Sequence, residues 1–162
     1  LEYNPYSQQL SLTIKVRSSG SVLLTLTRTL ASFPSGTTRL GVSRLHMKNT
    51  GGGADPNATV DYNLDNIQLF QDLPLMYGQD FSSAPGWTTD DPAKLLWDSG
   101  SGTFHGTQVN TEGTFAYIDL PTFNPNRNWR LEWDHIINSD QWSAGLTIGL
   151  FDSRLLYTLK TG

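Results

Sequence analysis

The stretch "VDYNLDNIQLF", residues 60 to 70, decides the fold. Val60, Tyr62 and Leu64 alternate with polar residues on even numbers, whereas Ile67 and Leu69 alternate on odd ones. Successive side chains of a β-strand point to opposite faces, so a period of two marks a strand with one buried side. Such a strand changes phase only by gaining a residue. The pattern therefore predicts a β-bulge at Asp65 or Asn66. The alternative is that Tyr62 and Leu64 belong to a loop.

The same period recurs on either side of this stretch. "LSLTIKV" puts Leu10, Leu12, Ile14 and Val16 on one face, and after the turn "RSSGS" come Val22, Leu24 and Leu26. "NWRLEWD" buries Trp129, Leu131 and Trp133 while Arg130, Glu132 and Asp134 face out, and "GLTIGLF" aligns Leu146, Ile148 and Leu150. Shorter strand candidates are "RLGVSRLHM", "LLWDS", "TFHGTQ", "TFAYIDL" and "LLYTL". Gly, Pro and Asn clusters separate them, and no stretch holds a helical period beyond two turns. About ten short strands in one chain imply an all-β sandwich or jelly roll.

Composition narrows the function. At 162 residues the chain is one domain by length and can bury a core. Charged residues are 16% with a net charge of −4, and no basic stripe exists to hold nucleic acid or an anionic membrane. No apolar run approaches the roughly 20 residues of a membrane span. Zero Cys removes disulfides, thiolate nucleophiles and Cys-zinc sites together. The first residue is Leu1 rather than Met, which reads as a processed or excerpted chain with no signal peptide of its own.

Two segments carry a resemblance. "LEYNPYSQQLSLTI", "SFPSGTTRLGVSR" and "ATVDYNLDNIQLF" resemble the C-terminal half of bacterial laminin-G-like, concanavalin-A-like jelly-roll modules. "DFSSAPGWTTDDPAKLLWDSGSGTFHG", "FAYIDLP" and "NWRLEWDHIINSDQWSAGLTIGLFDS" look like the N-terminal half of the same module. The resemblance implies a single jelly-roll sandwich over 1–162 with permuted connectivity. Residues 1–70 would be the family's second half, 80–162 its first half, and 71–79 the junction. "DNIQLF" then reads as a closing strand and "DFSSAPGW" as an opening one. Three arrangements fit: a circular permutant, one register of a tandem array, or a subunit whose half completes a neighbour. Little sequence follows "GLFDS", and a sandwich short of strands leaves an edge that invites another chain.

The fold also resembles laminarinase-like glycoside hydrolases, which carry a Glu-x-Asp-x-x-Glu set along one strand. Glu132 and Asp134 are co-facial here, but Ile136 or Ile137 occupies the third position. Without a second catalytic Glu the double displacement lacks a proton donor, so the chain reads as non-catalytic. His46, His105 and His135 show no metal-ligand spacing, and no nucleophile elbow or phosphate loop occurs.

A carbohydrate-binding module is the second class. Trp87, Trp97, Tyr117 and Trp142 are candidate stacking platforms, beside the polar Asn138, Asp140 and Gln141. Core packing is the competing role for every large aromatic in a sandwich. Asp65, Asp80, Asp90 and Asp91, with Asp55, are weak calcium candidates, since each also suits ordinary turn chemistry. Asn57 heads the glycosylation sequon Asn57-Ala58-Thr59 in a Gly-rich loop. Together these features predict an extracellular or cell-surface structural or adhesive subunit that self-associates through strand edges, with neighbouring copies or repeats as partners and no obligatory cofactor. The alternative is a lectin-like module whose partner is a glycan.

Overall fold

The computed structural model describes residues 1–30, 33, 38–43, 59–109, 114–140 and 147–152. These form twelve strands and no helix. In chain order they are β1 (Glu2–Asn4), β2 (Gln9–Lys15), β3 (Val22–Thr29), β4 (Thr38–Ser43), β5 (Thr59–Gln71), β6 (Leu75–Gln79), β7 (Thr88–Thr89), β8 (Leu95–Asp98), β9 (Thr103–Val109), β10 (Phe115–Leu120), β11 (Trp129–Asp140) and β12 (Thr147–Asp152). One sheet runs β3-β2-β1-β11-β5-β9-β8, with β6 also paired to β5; the other runs β12-β4-β10-β7. Tyr62, Leu64, Ile67, Leu69 and Leu131 of the first share one buried cluster with Leu40, Val42 and Ala116 of the second. The chain is an all-β sandwich built from two antiparallel sheets.

The two segments of the chain interleave. β1 and β5 flank β11, and β4 sits between β10 and β12. Each half supplies strands to both sheets, so neither packs as a domain of its own. Among the described residues the ribbon of β2 and β3 is hydrogen-bonded into the sheet through β1.

The phase change in β5 is a bulge. Asp65 faces Asp134 and Gln68 faces Glu132, so Asn66 and Ile67 together oppose Trp133. Asn66 takes a left-handed φ of 51°, a conformation that a short polar side chain tolerates best after Gly. Its backbone N–H donates to Asp65 Oδ1 at 2.7 Å, and its amide donates to Asp134 Oδ2 at 2.9 Å. The extra residue keeps Tyr62, Leu64, Ile67 and Leu69 all buried on the core side. Tyr62 and Leu64 thus belong to the strand, not to a loop. Along its other edge β5 pairs with β9 before the bulge and with β6 after it.

The segment 71–79 adds a strand that the sequence reading did not name. It turns at Asp72 and Leu73, both at positive φ, and returns as strand β6 against β5. "DFSSAPGW" is not a strand. Asp80 Oδ1 accepts the Ser82 N–H at 3.1 Å, Phe81 has φ 54° and Gly86 has φ 66°, so the chain bends repeatedly there and drops the Phe81 ring into the core. "NWRLEWD" behaves as read, with Trp129 and Leu131 buried and Trp133 half-buried against the core. Ile148 and Leu150 pack on the core from β12, while Leu146 and "LLYTL" lie outside the described residues.

The β2–β3 ribbon departs most from its pattern. Leu10, Leu12 and Ile14 share a face with Leu24 and Leu26, yet Leu24 is 41% and Leu26 54% exposed. An irregularity between Ile14 and Lys15 places Val22 opposite Lys15 and takes it out of the Leu24–Leu26 alternation. Periodicity identifies which residues share a face, but not whether anything covers that face.

Candidate functional site

The aromatic candidates separate into two settings. Trp87 is half-buried: its ring lies 4.9 Å from Phe104 and 5.8 Å from Phe81, and its Nε1–H donates to Tyr77 Oη at 2.8 Å. Burial pushes the Tyr77 phenol pKa up, and the indole donor opposes that shift. Trp97 donates its Nε1–H to the Phe81 carbonyl at 2.8 Å and also packs against the core. Both indoles close the same end of the core, where each finds the hydrogen-bond partner that a buried Trp requires.

Tyr117 has a different environment. It faces away from the core on β10, 5.7 Å from the Phe115 ring, with the Arg39 guanidinium 4.0 Å above its centroid. Arg39 Nε also bonds Asp119 Oδ1 at 2.7 Å. The sandwich therefore does not bring Tyr117 together with the two tryptophans. Trp142, Gln141, Asn57 and Asp55 lie outside the described residues.

Of the carboxylates proposed for calcium, the four that are described each serve a local turn or strand contact. Asp65 accepts from Asn66, Asp80 from Ser82, Asp90 from the Phe115 N–H at 2.9 Å, and Asp91 from the Ala93 N–H at 3.2 Å. Hydrogen bonds from Ser82 hold the Asp80 carboxyl below its ordinary pKa. Among the described residues no three of His, Asp and Glu converge as a metal-ligand set. Glu132 and Asp134 stand on the outward face of β11 as read. Glu132 pairs with Arg130 at 3.1 Å, and Asp134 pairs with Arg17 at 3.5 Å.

A polar group that sequence reading passed over lies on the outward face of the first sheet. His105 Nε2 is 3.0 Å from Asp61 Oδ1, and Asn138 Nδ2 donates to the same oxygen at 2.7 Å. The Asn138 hydrogen bond, followed by that from His105, holds the Asp61 carboxyl below its ordinary pKa, while burial opposes them. Thr107 Oγ1 is 3.4 Å from the same His105 Nε2. A hydroxyl–imidazole–carboxylate relay needs its two partners on opposite ring nitrogens, so this cluster is not one. The signal that could have found it is parity. Asp61 and Asn63 on β5 share their outward face with His105 and Thr107 on β9.

The β3 edge is the other feature set apart from the core. Among the described residues nothing pairs with its outer side. Val22 is 57% and Leu23 68% exposed, adding to Leu24 and Leu26. β3 contains no Pro, and Arg28 near its end is its one charged residue of the kind that blunts a free edge. Compared with protein families, curated proteins and solved structures, the chain matches none.

Proposed function

We propose that this chain is a non-catalytic structural or adhesive subunit, working outside the cell, that self-associates through β-strand edges. The observation that supports it is the β2–β3 ribbon. Among the described residues its outer edge is unpaired, and Leu24 and Leu26 are half-exposed on the face continuous with the core. An unpaired edge offers a row of N–H and C=O groups to any extended strand, and half-exposed leucines on the adjoining face add apolar area to such a contact. The jelly-roll connectivity and the permuted half-order belong to the same proposal, as does the resemblance to laminin-G-like modules.

The carbohydrate-binding alternative rests on the outward pair Tyr117 and Phe115. Native electrophoresis separates the two readings. A self-associating subunit migrates as larger species whose proportion rises with loading, whether or not polysaccharide is cast into the gel. A binding module runs as one small species that is retarded only in gels containing its polysaccharide. Loss of reducing-sugar production from β-glucan on Glu132→Gln would show that an enzyme had been missed.

A further inference from the structure

We infer that the partner of the β3 edge is a second copy of β3, paired antiparallel across a twofold axis at Leu26. This deepens the self-association reading and rests on it.

The orientation of the backbone sets which residues can pair. The Leu30 N–H donates to the Gln8 carbonyl at 2.8 Å, and the β2–β3 register continues regularly from Gln9↔Thr29 to Ile14↔Leu24. Hydrogen-bonded and non-bonded pairs alternate along an antiparallel ladder. The even residues Leu24, Leu26 and Arg28 therefore bond to β2, and the odd residues Thr25, Thr27 and Thr29 turn their N–H and C=O outward. The irregularity near Leu23 limits the usable edge to Leu24–Thr29.

A twofold pairing within that edge has few registers. With the axis at Leu26, Leu26 faces its own copy and Thr25 exchanges both backbone bonds with the other copy's Thr27. Leu24 then faces Arg28 of the other copy, and the two Arg28 side chains are kept apart. Moving the axis to Thr25 leaves only Leu24–Leu26 of the regular edge in the ladder. Moving it to Thr27 sets Leu26 against Arg28, and Leu24 then meets only Leu30, beyond the regular edge. A leucine pair and threonine pairs are favourable cross-strand neighbours, and like charges directly opposite are not. The strand is thus complementary to itself. The edge alone is smaller than the roughly 800 Å² per partner of a standard interface, so the dimer should form in proportion to concentration.

The chain has no cysteine, so single-cysteine variants report the register directly. In the full chain, Leu26→Cys should form a disulfide-linked dimer under mild oxidation, because a non-bonded antiparallel pair brings Cα atoms to about 4.5 Å. Leu24→Cys should not, since its own copy lies about 13 Å away along the strand. Thr25→Pro removes only an outward N–H, so it should keep the circular dichroism of the parent while its light-scattering mass falls to 18.0 kDa. Equal cross-linking at both cysteines, none at Leu26→Cys, or undiminished association of a folded Thr25→Pro would overturn the β3 pairing. In those cases an associating parent chain keeps the broader reading alive. A parent that stays at 18.0 kDa at every concentration overturns both.

Discussion

The ring of Tyr62 lies over Gly106 of the neighbouring strand, where a Cβ at position 106 would collide with its Cζ and Oη. Gly106 is therefore fixed by its neighbour's bulk, not by its own backbone angles. Gly106→Ala should destabilise the fold by about 1–3 kcal/mol, the range for overpacking a filled core. Urea unfolding measures it. A loss below a few tenths of a kcal/mol would mean that the ring moves aside freely.

The Tyr62 hydroxyl is buried and has no hydrogen-bond partner among the described residues. A buried polar group left unpaired is unfavourable, so Tyr62→Phe should stabilise the protein by about 1 kcal/mol. Burial also raises the phenol pKa above its ordinary value of 10.0. A raised acid contributes stability below its unfolded pKa and loses it as pH rises, because only the unfolded chain ionises there. Tyr62→Phe should therefore lessen the decline in stability above pH 10. Identical alkaline unfolding of the two proteins would contradict this.

The bulge rests on Asn66 at a positive φ. A β-branched side chain is strained in the left-handed region by roughly 1–2 kcal/mol, so Asn66→Val should be that much less stable than Asn66→Gly. Equal melting temperatures for the two variants would place the bulge elsewhere.

How much of this could be read in advance depends on the range of the interaction. The bulge was legible because Leu64 and Ile67 are close in sequence and a strand has a fixed period. β6 was missed because Pro74 and Gly78 disguise a short strand whose existence depends on pairing with Ile67–Phe70. Trp87 and Trp97 were equally readable as platforms or core, since only the arrival of Phe81 and Tyr77 decides where an indole N–H goes. Parity puts Asp61 and His105 on outward faces, but that β5 and β9 are neighbours, joining residues 44 positions apart, is carried by no local signal. Nor could alternation at Leu24 and Leu26 distinguish a covered face from an open one.

Asp61 gives a prediction at acid pH. Its carboxyl pKa is held below the ordinary 3.8, so its contribution is present above that value and is lost as pH falls through the folded-state value. Asn138→Leu removes the largest cause and should move the Asp61 carboxyl pKa up, read by carbon-13 NMR titration. An unmoved titration curve would assign the shift to His105 instead.

Sedimentation velocity of the intact chain across a wide concentration range addresses self-association most directly. The β3 edge, unpaired among the described residues, predicts a weight-average mass that rises above 18.0 kDa with concentration and returns to it on dilution. A single species of 18.0 kDa throughout that range would contradict the proposal and favour the carbohydrate-binding reading.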